Sequence, residues 1–199
     1  MKKLLFVFFL TLISNELYSQ LSKVHYIPPL TAQDDPGDQW LYISTPSTTD
    51  VKYQVKIGGI QGATGDSGTL YNEGVVSNAN PAIVALADDP GNTNGWWSNL
   101  FVELDQTEQI LNKGFIIEAE SEVYVSVRMN SDGQQYQAGA LVSKGKSGLG
   151  TRFWAGMLQN QTALHVGFVS VMATEDQTVI SYNFSKDINT IGGEKKVGI

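Results

Sequence analysis

The chain has 199 residues, 42% of them hydrophobic and 17% charged, enough apolar material for one packed domain without covalent staples. It has no Cys and only two His, His25 and His165, which excludes disulfides, thiolate metal sites and thiol nucleophiles and argues against a His-rich metal centre. A net charge of −7 argues against general nucleic-acid binding, which needs a basic face.

The chain opens with an address. Lys2 and Lys3 precede an apolar run over residues 4–13, and Asn15 and Glu16 end it. The run is too short for the ~20 residues that cross a bilayer, so it reads as a secretory signal peptide spanning 1–19, cut between Ser19 and Gln20. Removing it takes away two lysines and one glutamate, leaving a mature chain one charge more acidic. No later segment is long and apolar enough to span a membrane. An exported chain without Cys fits a bacterial exoprotein better than an animal extracellular domain. The expected location is therefore the cell surface, the medium or the periplasm.

Strands dominate the mature chain. Val51, Tyr53, Val55 and Ile57 alternate with Lys52, Gln54 and Lys56, the period-2 signature of a half-buried strand. Val123, Val125, Val127 and Met129 repeat it against Tyr124, Ser126 and Arg128. Further strands are expected over 40–44, 83–87, 100–104, 115–119, 136–143, 152–156, 165–172 and 178–184. Turn chemistry separates them: Asp34-Asp35-Pro36-Gly37, Asp88-Asp89-Pro90-Gly91, Asn112-Lys113-Gly114 and Asn130-Ser131-Asp132-Gly133, the last closing a hairpin between the strands at Val123 and Tyr136. Thr174-Glu175-Asp176 makes a polar turn, with a hairpin around it whose apolar sides share the core. One short helix is the best available, over 104–111. The pattern predicts an all-β fold, an antiparallel β-sandwich of the double-sheet, jelly-roll-like or a related kind. It occupies residues 20–188, with a loose tail over 189–199.

Motifs with chemical content are mostly near misses. Gly145-Lys146-Ser147 imitates the end of a phosphate-binding loop, but the first glycine of that motif falls on Ala140 and no amphipathic helix follows. The stretch from Asp88 to Asn94 is rich in oxygen ligands, yet Pro90 interrupts the alternation that a calcium loop needs, and a polar turn explains it better. No cofactor or metal is expected. Glu118, Glu120 and Glu122 share one face of an extended stretch, so a glycoside-cleaving carboxylate pair is geometrically possible; a solvated acidic edge is the simpler reading. His25 and His165 have the chemistry of a general base, but no Gly-x-Ser-x-Gly elbow accompanies them. Trp96 and Trp97 are the binding candidates: adjacent strand residues point to opposite faces, which leaves one indole available to a sugar ring or a protein partner.

Several blocks are similar to one known family. Residues 20–30 (QLSKVHYIPPL) resemble the mature start of large exported proteins of gliding Bacteroidetes. Residues 138–145 (AGALVSKG) with 148–153 (GLGTRF), then 168–179 (FVSVMATEDQTV), resemble consecutive blocks of the IgGFc-binding protein N-terminal domain family, and 113–120 with 123–129 resemble its bacterial branch. The resemblance implies a β-rich, non-enzymatic surface module linked to adhesion or gliding motility, with an extracellular glycan or protein ligand. It supplies no catalytic residues, and immunoglobulin binding belongs to the animal namesake. Bacterial members often carry a C-terminal sorting domain that is not seen before Ile199, so this sequence is expected to be a shortened module or the front part of a longer surface protein. The alternatives are a carbohydrate-active enzyme using Glu118, Glu120 or Glu122, and a structural spacer of an envelope protein.

Overall fold

A computed structural model of the chain describes residues 20–31, 36–58, 68–87, 98–102, 113–131, 138–156, 168–175 and 177–181. Among the described residues seven strands form one sheet: β1 (Ser22–Ile27), β2 (Pro36–Ser44), β3 (Val51–Ile57), β4 (Thr69–Val76), β5 (Ala82–Ala87), β6 (Phe115–Ser131) and β7 (Ala138–Val142). Every strand pair is antiparallel. The all-β antiparallel class expected from the alternation patterns is what the chain adopts.

β6 organises the rest. It is 17 residues long, and its odd-numbered side chains Phe115, Ile117, Val123, Val125 and Val127 are all buried. Along one edge it pairs first with β3 (Ile117 beside Val55) and then with β2 (Val127 beside Leu41). Along the other it pairs first with β1 (Ile117 beside His25) and then with β7 (Val127 beside Leu141). Between the two halves lie Glu120, Ser121 and Glu122, all exposed, where the register with β1 shifts and the edge partner changes from β3 to β2. The sequence reads that acidic stretch as a break between two strands. It is a bend within one, and Thr45 Oγ1 donates to the Glu122 carbonyl there (2.8 Å).

The strand order β4-β3-β6-β2-β5 curls until its two ends meet. β4 runs into β5 through a turn in which Ser77 and Asn80 exchange backbone hydrogen bonds (3.1 and 3.0 Å), and Tyr71 Oη donates to the Ala85 carbonyl (2.9 Å). The curled sheet wraps one apolar core, with Ile27, Leu41, Ile43, Val55, Val76, Val84, Leu86, Phe115, Ile117 and Val125 in a single cluster. Leu100 and Phe101, both fully buried, close one end. Their segment is held by Leu30 N–H to the Leu100 carbonyl and Val102 N–H to the Leu30 carbonyl (both 2.8 Å). Ser98 Oγ donates to Gln39 Oε1 (2.6 Å), a buried polar contact that satisfies both groups. The strand expected over 100–104 is thus a plug with one bridge, Phe101 to Leu30, as far as residue 102; residues 103–112, including the expected helix, lie outside the described residues.

Two glycines are required where they stand. Gly114, one residue before β6, has φ +78°, and a Cβ there would come within 2.6 Å of the Ile27 carbonyl. Gly74 on β4 leaves room for the Tyr53 ring, whose hydroxyl lies 2.8 Å from where a Cβ would be and donates to Asn72 Oδ1 (3.1 Å).

The expected hairpin between Val123 and Tyr136 is present as the β6–β7 pair, in register from Asn130 with Ala138 to Ser126 with Val142. Past β7 no further strand joins the sheet among the described residues. Residues 145–148 form a 3-10 turn. Of the strands expected over 152–156, 165–172 and 178–184, the described parts (152–156, 168–172 and 178–181) are without ladder partners among the described residues. The turn between the last two exists: Thr178 Oγ1 donates to the Glu175 carbonyl (2.7 Å) and Gln177 takes φ +57°. Ser170 and Met172 of its first arm rest against the domain, but Phe168, Val169, Val171, Val179 and Ile180 are exposed, so the apolar sides of the arms do not share the core as the alternation pattern predicts.

Candidate binding face

The two halves of the curled sheet present different outer faces. On the half built from β3, β4 and the start of β6, the outward residues include charged and polar side chains that pair with one another, beside the exposed aliphatic Leu70 and Val75. Lys56 Nζ donates to Glu118 Oε2 (2.7 Å), Lys52 Nζ lies 3.8 Å from Glu120 Oε1, and Gln54 Nε2 donates to Glu73 Oε2 (3.2 Å). Gln54 stands opposite Glu118 and Lys56 opposite Ile116, so Lys56 reaches Glu118 along the diagonal. Two of the three carboxylates considered for catalysis are therefore engaged by lysines: Glu118 in a partly buried pair with Lys56, and Glu120 in an open pair with Lys52 that contributes little stability. Glu122 is exposed at the bend of β6.

On the other half the outward residues are aromatic and aliphatic. Ile83, Tyr42, Ser126 and Val142 stand in one row across β5, β2, β6 and β7. Ala85, Trp40, Arg128 and Ala140 make the next row, and Tyr124 stands beside Ser44 on the far side of the first. Their order follows from alternation: Leu41, Ile43, Val84, Val125 and Val127 point into the core, so their neighbours must point out. Trp40 and Tyr42 are half-buried; Tyr124, Val142 and Ile83 are exposed, Ile83 by 61%. The Arg128 guanidinium lies 4.9 Å from the centroid of the Tyr42 ring, which fixes both side chains on the face. Flat rings with a stacked guanidinium and the exposed Tyr124 phenol suit a ligand that offers apolar surface and hydroxyl groups together.

The residues singled out from sequence are dispersed. Trp96, Trp97, His165 and the Asp88 to Asn94 stretch fall outside the described residues, as do the leader and Ser19; Gln20 is exposed in a turn ahead of β1. The Gly145-Lys146-Ser147 turn has a structural part, with the Lys146 N–H reaching Ser22 Oγ (3.4 Å) and Ser147 Oγ donating to the Lys144 carbonyl (2.6 Å). Among the described residues no cluster of three or more His, Asp or Glu could hold a metal ion, and no helix is long and apolar enough to cross a membrane. Trp40, Tyr42, Tyr124 and Arg128 belong to no motif. The one sequence signal for them is that 40–44 alternates aromatic with aliphatic residues and so has two apolar faces, only one of which a core can use.

His25 is buried in β1, with its Nε2 2.9 Å from the Val123 carbonyl; a carbonyl only accepts, so Nε2 carries the proton. Burial holds its pKa below the ordinary 6.5, and the backbone hydrogen bonds to Val123 and Ser22 offset this only in part. The folded chain thus keeps His25 neutral where the unfolded chain takes up a proton. That contribution to stability is complete above about pH 6.5 and is lost as pH falls from there toward the depressed folded value. Urea unfolding at pH 7.5 and 5.5 should show a lower midpoint at 5.5, and His25→Gln should flatten that difference; an unchanged difference would assign it to other groups.

No family model, curated protein or solved structure matches this chain.

Proposed function

We propose that the chain is an exported, non-enzymatic surface-binding or adhesion module of a gliding-type bacterium, and that its ligand is an extracellular glycan held on the outer face of β5, β2, β6 and β7. The observation that carries this reading is the aromatic set Trp40, Tyr42 and Tyr124 with Arg128, kept at the surface by strands whose opposite face is filled with core. Aromatic rings gathered on one outer face, while the outer face of β3 and β4 carries lysine–glutamate pairs among scattered aliphatic side chains, support a binding surface there. The leader-like residues 1–19, the lack of Cys and the likeness of 138–153 and 168–179 to the IgGFc-binding family support the same reading.

Immobilised mucin-type and cell-surface polysaccharides test it. The wild-type chain should bind at least one of them. Tyr124→Ser, on the open part of the face, and Trp40→Ala should each weaken that binding roughly thirtyfold, the size of a hot-spot truncation. Glu120→Gln, on the charged face, should bind as wild type. Equal binding by Tyr124→Ser and wild type would remove the face from the proposal, and polysaccharide turnover lost in Glu120→Gln would replace it with the enzyme reading.

A further inference from the structure

We infer that residues 178–181 of one copy add as a strand to the outer edge of β7 in a second copy, and that the exchange is reciprocal. Two unfilled features of the same chain carry this. The first is the β7 edge. Ser143 N–H donates to the Val125 carbonyl (3.0 Å), which sets the alternation of the antiparallel ladder: Gly139, Leu141 and Ser143 bond to β6, and the N–H and C=O groups of Ala140 and Val142 point away from it. Among the described residues β7 pairs only with β6. Its sequence, AGALV, has no charge and no proline. Those are the devices with which sheet edges are ordinarily kept from pairing, and an edge lacking them is open to another strand.

The second feature is the arm. Beyond the turn at Glu175, residues 178–181 (TVIS) are exposed and without a ladder partner among the described residues, with Val179 88% accessible. Thr178, Val179 and Ile180 are β-branched and pack well on a pleated sheet. The near arm is seated on its own domain: Ser170 Oγ donates to the Pro29 carbonyl (2.5 Å), and Met172 Cε sits against the places a Cβ would take on Gly58 and Gly114. The base is therefore fixed while the far arm projects. Neither β7 nor 178–181 carries a charge, so nothing repels the pair, and the main-chain groups each lacks are those the other offers. A swap of identical elements between two copies closes as a two-fold dimer in which both β7 edges are covered.

Light scattering on the purified mature chain should give the mass of two chains at micromolar concentration. Val179→Lys, at a position that touches no core, should give the mass of one chain with an unchanged far-UV spectrum. Ala140→Pro, which removes an outward N–H and leaves the β6 ladder intact, should do the same. A monomeric wild-type chain at every concentration would overturn the inference, and so would a dimer that persists in both variants.

Discussion

Val125→Asp should cost more than about 3 kcal/mol, because it leaves an unpaired charge in the core. Val125 is 1% exposed and stands beside Ile43 on β2, with Val123 and Val127 above and below it on the same face of β6. The strand cannot turn the carboxylate outward, since a slip by one residue would bury Tyr124, Ser126 and Arg128 in exchange. For a chain of this length the loss corresponds to a fall in Tm of roughly 6–12 °C. Tyr124→Asp, one residue away on the outer face, should cost about 1 kcal/mol or less. Thermal unfolding of the two variants checks the assignment, and similar losses would refute it.

Phe115→Ala should lose about 3–5 kcal/mol through the cavity it opens. Phe115 is the first residue of β6, fully buried, and lies between Ile27 on β1 and Ile57 on β3 in the ladder. The Tyr71 ring meets it edge-on, 5.4 Å between centroids and 66° between planes. Because β1, β3 and β4 all converge on this ring, the cavity cannot collapse without moving three strands. Urea unfolding should show a lower midpoint with an unchanged slope, and Phe115→Leu should recover most of the loss. A loss below about 1 kcal/mol would mean that the end of the curl is not packed on this side chain.

The inward set of β3 and of the second half of β6 is open to view in the sequence, because strict alternation there leaves one solution. β4 is hidden by Asn72, Glu73 and Gly74, residues poor in strand propensity that are there because Tyr53 needs the space over Gly74 and the amide of Asn72. β1 is hidden by His25, a polar residue in an inward place that is satisfied by the Val123 carbonyl. The continuity of β6 is hidden by Glu118, Glu120 and Glu122, which read as a turn; two of them face outward against lysines of β3, a partner that is remote in sequence. The binding face is legible only as a strand at 40–44 with two apolar sides. Which side is inside depends on the register with Val125 and Val127, and that is a tertiary fact. The strands expected over 152–156, 165–172 and 178–184 have suitable composition but, in the parts described, no ladder partner among the described residues, which composition alone does not reveal.

Both the core and the binding face rest on the alternation of β6, and a chain without Cys allows that alternation to be read directly. Single cysteines placed in turn at positions 123 to 128 and exposed to a soluble thiol reagent measure it. Cysteines replacing Tyr124, Ser126 and Arg128 should react fast under native conditions, and those replacing Val123, Val125 and Val127 only after urea is added. Uniform reactivity along the strand, or fast reaction at the odd positions, would contradict the curled sheet and the aromatic face with it.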